Sequence, residues 1–111
     1  MRPLSVVSAP TAAVNTTMYT VPTGYYAAIQ LIYAHNAGGG AKHFTAQWYD
    51  ASTTTVFDIL TQYPLNAKEY LQFNGNAYIV LEEGDQFRVV TETGSTYTVI
   101  LTVEEIGLTR Q

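Results

Sequence analysis

The 111-residue sequence predicts one all-β domain, a single-domain antiparallel β-sandwich of jelly-roll type with about eight short strands. Three observations predict this fold. Apolar and polar residues alternate over most of the chain, as they do in strands with one buried face. Turn residues recur at intervals of roughly 8–12 residues, the spacing typical of sandwiches. No segment combines a helical apolar stripe with capping residues.

Residues 1–13 are predicted to form an extended N-terminal arm. The segment carries two prolines and many small residues, and Leu4, Val6 and Val7 are its candidate contact residues. A terminus of this kind becomes ordered where it docks on another surface. The β-sandwich domain is then expected to span residues 14–106, and residues 107–111 form a short C-terminal tail.

The next stretch predicts a hairpin that leads into a central strand. Residues 15–20 alternate and run into the turn signal Pro22-Thr23-Gly24, which favours a tight hairpin. Residues 25–36 are apolar on both parities, and a strand of that kind is covered on both sides by protein. We therefore expect outward-facing Tyr25, Tyr26 and Tyr33 to contact a partner.

The rest of the chain continues the strand-and-turn pattern after the glycines at 38–40. Strict alternation places Phe44 and Trp48 on one face of the following strand, and Pro64 ends the strand after that. Asn74-Gly75-Asn76 is a strong turn signal. The remaining strands are predicted at residues 43–50, 55–63, 70–73, 78–81, 86–92 and 96–105.

Composition favours a protein that contacts other proteins. Only 13% of the residues are charged and 47% are hydrophobic, whereas about a quarter are charged in an average domain. The net charge of −4 and five scattered Lys and Arg residues argue against nucleic acid as a partner. No apolar run is long enough to span a membrane, so no membrane is expected as a partner.

Candidate metal sites are weak. His35 and His43 flank the glycine loop and would approach each other in a hairpin, with Asp50 as the nearest third ligand. The acidic turn at 82–85 could suggest calcium, although such a turn commonly joins two strands. The absence of cysteine excludes a thiolate site. We expect no metal and no cofactor.

Catalytic signatures are also weak. The sequence has no Gly-x-Ser-x-Gly elbow and no phosphate-binding glycine motif. Asp50 and Asp58 could form a carboxylate pair, but a small sandwich offers little cleft for a sugar chain. The chain is therefore predicted not to be an enzyme, with no catalytic residue.

A family resemblance rests on turn-and-strand patterns over residues 14–105. Residues 19–24 (YTVPTG), the following alternation to Asn36, residues 48–50 (WYD) and residues 81–85 (LEEGD) carry it. In these features the chain resembles small all-β virion structural proteins of tailed bacteriophages, which include head decoration (cement) proteins and related tail or neck components. The resemblance implies a structural protein that commonly forms symmetric oligomers.

The expected function is that of a capsid decoration protein on the virion surface. The resemblance implies a homotrimer that binds the major capsid protein and stabilises the mature head. The candidate contact residues are Leu4, Val6, Val7, Tyr25, Tyr26 and Tyr33, and deletion of residues 1–13 is expected to abolish particle binding while the fold stays intact. The alternative is a tail or fibre module that binds a host-surface glycan, because the sequence contains nine tyrosines that could stack on sugars or fill protein interfaces.

Overall fold

The computed structural model describes residues 2–74 and 79–107, which form two antiparallel sheets packed as a sandwich. The predicted all-β sandwich is confirmed, and the described residues form nine strands in place of about eight. The described part of the chain contains no helix with the length and hydropathy that a membrane span requires. The strands are β1 (Arg2–Ser8), β2 (Thr16–Thr20), β3 (Tyr25–Asn36), β4 (Lys42–Asp50), β5 (Thr55–Leu65), β6 (Tyr70–Asn74), β7 (Val80–Leu81), β8 (Gln86–Thr91) and β9 (Tyr97–Gly107).

The two sheets contain strands that are distant in sequence. Sheet A has the order β1-β9-β3-β6, and β7 also pairs with β3; sheet B has the order β2-β8-β4-β5. The predicted hairpin between residues 15–20 and β3 is therefore wrong, because β2 lies in sheet B and β3 in sheet A. Val21 is buried in the core, and its burial draws the connection across the sandwich. The chain returns from sheet A to sheet B between β3 and β4.

The core lies between the sheets and matches the predicted alternation of several strands. β8 and β9 alternate buried and half-buried residues without interruption. β4 buries Phe44 and Ala46, whereas Trp48 is half-buried and packs against the core. The inward residues of β8 and β9 are Phe87, Val89, Thr91, Tyr97, Val99, Leu101, Val103 and Glu105.

β3 changes its inward parity at a bulge. The register with β9 shifts between Ile29 and Leu31. Before the shift Ala27 and Ile29 are buried, and after it the buried residues are Ile32, Ala34 and Asn36. A bulge places one extra residue in the strand and so exchanges its two faces. This bulge explains why apolar residues occupy both parities of the sequence.

The segment predicted as an arm forms strand β1 of sheet A. It pairs antiparallel with β9 from Arg2↔Glu105 to Ser8↔Val99, so the sandwich begins at residue 2 and not at residue 14. Pairing with β9 satisfies backbone groups that a free arm would leave to water. The predicted free arm is therefore wrong, and deletion of residues 1–13 would expose the backbone groups on one side of β9. Gly107 ends β9, and residues 108–111 of the predicted tail lie outside the described residues.

Tyr97 makes the stability of the core sensitive to alkaline pH. Its ring stacks on Phe44 with 5.6 Å between centroids, and its hydroxyl donates to the Lys42 carbonyl at 2.7 Å. Burial, helped by the nearby Glu92 carboxylate, raises the pKa of Tyr97 to about 12. The fold thus favours the neutral phenol, and this contribution is complete below pH of about 10 and is lost as pH rises through about 12.

We expect the free energy of unfolding to fall between about pH 10 and pH 12, and less steeply in Tyr97→Phe, which has no phenol to ionise. Urea unfolding at a series of alkaline pH values would measure both slopes. Tyr63→Phe, at an exposed tyrosine, is the control and should keep the wild-type slope. Equal slopes for the two variants would contradict the prediction.

Candidate interaction surfaces

The outer face of sheet A is uncharged at its centre. Residues paired directly across antiparallel strands project to the same side, so Val7, Ile100 and Tyr33 form one row across β1, β9 and β3. None of the described residues in this row and its two neighbours is Asp, Glu, Lys or Arg. We call these rows the sheet A face; its members are Ser5, Val7, Leu31, Tyr33, His35, Tyr70, Gln72, Thr98, Ile100 and Thr102.

The outer face of sheet B is polar and internally hydrogen-bonded. The Gln47 side chain accepts from Asn15 Nδ2 at 2.8 Å and donates to Asp58 Oδ1 at 3.1 Å. Arg88 Nε donates to Gln86 Oε1 at 2.8 Å, and the guanidinium carbon of Arg88 lies 4.3 Å from the centre of the Tyr49 ring. This face suits contact with water. The centres of protein interfaces are depleted in charge, and the sheet A face has that composition.

The structure separates the six predicted contact residues into three groups. Val7 and Tyr33 lie on the sheet A face on either side of Ile100; Val7 is 67% exposed, and the Tyr33 ring stacks on Tyr70 at 5.5 Å. Leu4 and Val6 have the opposite parity on β1, where Val6 is half-buried against the core and Leu4 is 40% exposed. Tyr25 and Tyr26 lie at the end of the molecule where β3 begins. Tyr25 packs against the core, so its predicted outward orientation is wrong.

Tyr25 and Tyr26 line a hollow of about 510 Å³ together with Val80, Glu82 and Glu83. Glu83 accepts a hydrogen bond from the Gly24 backbone N–H.

Asp85, which follows in the same turn, is buried, and its carboxylate accepts from Trp48 Nε1, Ala51 N and Glu82 N, each at 3.0 Å. Asp85 therefore serves as an anchor for the turn.

The candidate metal ligands do not converge. His35 belongs to sheet A, whereas His43 belongs to sheet B and has its Nε2 3.6 Å from Glu92 Oε1. Asp50 lies at the far end of β4, and hydrogen bonds from the Ser52 hydroxyl and N–H lower the pKa of its carboxyl group. In the described part of the chain, no group of three His, Asp or Glu side chains could hold a metal ion.

The sequence patterns did not indicate that the side chains of β5 are exposed. Val56, Phe57 and Tyr63 are 40–54% exposed, although their strand alternates as a half-buried strand would. The free edge of β5 is interrupted by a bulge at Gln62, which has φ 47° and donates its N–H to Thr45 Oγ1 at 3.0 Å. Such a bulge, with Asp58 and Pro64 nearby, hinders pairing with another strand.

No sequence pattern indicated that Ile100 and Tyr70 belong to the sheet A face, because their neighbours on this face come from other strands. Ile100 has Val7 on one side and Tyr33 on the other, and Tyr70 lies opposite His35. These three strand pairings join segments far apart in the chain. The sheet A face could therefore be recognised only after the strand order was known.

Comparisons with known proteins give information about the fold only. No protein-family model matches the sequence, and no curated protein matches it. A solved structure from work entitled "Bacillus endospore appendages form a novel family of disulfide-linked pili" is similar with a TM-score of 0.58 and 14% sequence identity. The similarity covers 97% of this chain and 87% of that chain. At this identity the likeness establishes a shared two-sheet sandwich over nearly the whole chain.

Proposed function

We propose that this chain is a structural subunit of a protein particle and that it binds neighbouring subunits through the sheet A face. The observation that carries the proposal is the contrast between the two outer faces: one is uncharged around Val7, Ile100 and Tyr33, and the other holds a polar network around Gln47 and Arg88. A protein surrounded by water on all sides has no need of this difference. The first role that we propose is that of a capsid decoration protein of a tailed bacteriophage.

Binding in this role is mechanical and multivalent. The molecule measures 54 × 25 × 19 Å, so a broad face can supply a standard interface of about 800 Å² per partner. A symmetric homo-oligomer, with a trimer favoured, would add the weak contacts of its copies into one strong attachment. Attachment to the mature shell alone would stabilise that shell, because a ligand stabilises the state that it binds.

Ile100→Lys is expected to weaken this binding at least about tenfold, since a lysine buried at an uncharged contact costs more than about 1.4 kcal/mol. Val90→Lys is the matched control, because Val90 is also a half-buried residue of an inner strand but lies on the outer face of sheet B. Light scattering of each variant, alone and with purified phage heads, would give the solution mass and the bound fraction.

Equal binding by the two variants would contradict the assignment of the sheet A face. A stable monomer that ignores the heads would contradict the decoration role itself. Thermal unfolding of both variants would show whether the two substitutions disturb the monomer to the same extent, so that a difference in binding can be assigned to the face.

A second candidate is a subunit of an extracellular filament. The observation that favours it is the fold shared over 97% of this chain with a protein of disulfide-linked pili. This chain has no cysteine, so its filament would be held by non-covalent contacts. Electron microscopy of the concentrated protein without heads distinguishes the two roles, because a filament subunit forms fibres by itself and a decoration protein forms closed oligomers.

A further inference from the structure

β1 is attached to its own sandwich chiefly through the backbone. It pairs with β9 over seven residue pairs. Its side chains add little apolar burial, since Leu4 and Val7 are 40% and 67% exposed and Val6 is half-buried. A side-chain hydrogen bond joins Ser5 Oγ and Thr102 Oγ1 at 2.8 Å, also at an exposed position. A terminal strand held in this way can detach without opening the core.

The side of β9 that pairs with β1 is stable only when another strand satisfies its backbone groups. Its residues Val99, Leu101 and Val103 are fully buried, and it lies between β1 and β3 in sheet A. Without β1, one row of its backbone N–H and C=O groups would lose its partners. The β1 strand of a second copy has the same sequence, so it fits the vacated position as well as the chain's own β1 does.

The connection from β1 to β2 is short and strained. It comprises residues 9–15, and Ala13 adopts a φ of 65°, a left-handed conformation that residues other than glycine rarely adopt. Ala13 is held there by a hydrogen bond from its N–H to the Thr91 carbonyl at 2.8 Å. Opening this connection releases the strain, and short strained hinges favour exchange of strands between copies.

The opened connection is long enough for a neighbouring copy to receive the strand. Seven extended residues span roughly 23–25 Å, which is similar to the 25 Å width of the molecule. We propose that β1 is an exchangeable strand: β1 of one copy pairs antiparallel with β9 of a second copy, in the register seen within one chain. The β1 segment is then a link between subunits of the assembly.

This inference deepens the proposed role as an assembling subunit, but its test needs no particle. The sequence has no cysteine, so a disulfide can form only between the introduced thiols and identifies the two positions that are in contact. Ser5→Cys and Thr102→Cys place thiols at a directly opposed pair. The two full-length single variants, one of them isotopically labelled, are unfolded, refolded together at high concentration and oxidised, and mass spectrometry quantifies the mixed covalent dimer.

We expect at least tenfold more mixed dimer from this pair than from Ser5→Cys with Thr93→Cys, because Thr93 is exposed in the turn before β9 and does not oppose β1. The double variant Ser5→Cys/Thr102→Cys, refolded dilute, should form the internal disulfide and then fail to exchange until it is reduced. Mixed dimer no more abundant than in the Thr93→Cys control, with the internal disulfide formed in the double variant, would overturn the proposal.

Failure of this proposal is distinguishable from failure of the proposed function. Because Ser5 and Thr102 also belong to the sheet A face, the exchange test is repeated with Ile100→Lys in both single-cysteine variants; this substitution alters the face, leaves the β1–β9 backbone pairing in place and should leave the yield of mixed dimer unchanged. A protein that binds heads through this face without exchanging β1 would give no mixed dimer and would still lose head binding in Ile100→Lys. A protein that exchanges β1 but ignores heads would give the reverse pattern.

Discussion

Asp85→Ala is expected to lower the free energy of unfolding by about 3–4 kcal/mol. Asp85 is 1% exposed, and its carboxylate accepts three N–H groups, one from strand β4 and one from each of two turns. Alanine would leave the Trp48 indole and the backbone N–H groups of Ala51 and Glu82 without this acceptor. A buried donor without a partner costs about 1–3 kcal/mol, and hydrogen bonds to a charged group are stronger than average.

Urea unfolding followed by far-UV circular dichroism would measure the loss. Trp48 fluorescence is a less suitable probe, because the substitution itself changes the environment of the Trp48 indole. Glu82→Ala is the matched control: Glu82 is an exposed acid in the same turn, and its removal should change stability by less than about 0.5 kcal/mol. Asp85→Asn keeps the shape and one acceptor oxygen, so an intermediate loss is expected. A loss in Asp85→Ala no larger than that in Glu82→Ala would show that the three hydrogen bonds do not hold the turns.

Asp85 also connects stability to the surface chemistry of this end of the molecule. Its bonds tie the β4–β5 turn to the β7–β8 turn, and the latter carries Glu82 and Glu83 beside the hollow formed with Tyr25 and Tyr26. The sequence identified the acidic turn as a strand connection but could not show that one of its carboxylates points inward. Strand alternation did place Trp48 towards the core, where its indole meets Asp85.

The fold class was predictable because local patterns determine which side of a strand is buried. The alternation in the sequences of β8 and β9 matches the alternating burial of these strands, and glycines with positive φ, such as Gly84 and Gly94, lie in the turns that precede them. Turn chemistry shows that the chain reverses, but it does not show in which sheet the next strand lies. For this reason the β2–β3 connection was predicted as a hairpin although it crosses between the sheets.

The candidate site was less predictable because it is assembled from long-range pairings. Tyr33 could be selected from an apolar strand, and Val7 from an apolar terminal segment. Their alignment through Ile100 depends on β9 lying between β1 and β3. The bulge in β3 also altered which tyrosines face outward: Tyr33 lies beyond the shift on the outer face, whereas Tyr25 lies before it and packs inward. One inserted residue therefore places Tyr33 on the outer side of the sheet and Tyr25 on the inner side.

Asn36→Ala is expected to lower the free energy of unfolding by about 2–3 kcal/mol at the opposite end of the sandwich. Asn36 is fully buried. Its Nδ2 donates to the carbonyls of Gly40 and Leu65 at 2.9 and 3.1 Å, and its Oδ1 accepts the Gly38 N–H at 3.1 Å. Alanine would leave buried backbone groups of the glycine loop and of the end of β5 without these partners. The same urea measurement applies, with Asn66→Ala, an exposed asparagine nearby, as the control.

Asn36→Asp tests the same bonds with almost no change in volume. It replaces the Nδ2 donor by an oxygen that faces two carbonyl oxygens, so at neutral pH the ionised aspartate is expected to destabilise the fold at least as much as alanine. Protonation at low pH restores a donor at this position, and burial among carbonyl oxygens favours the protonated form. The difference from wild type should therefore shrink as pH falls, whereas the Asn36→Ala difference should not. A constant difference for both variants would mean that the lost contact is steric and that donation to Gly40 and Leu65 does not hold the loop.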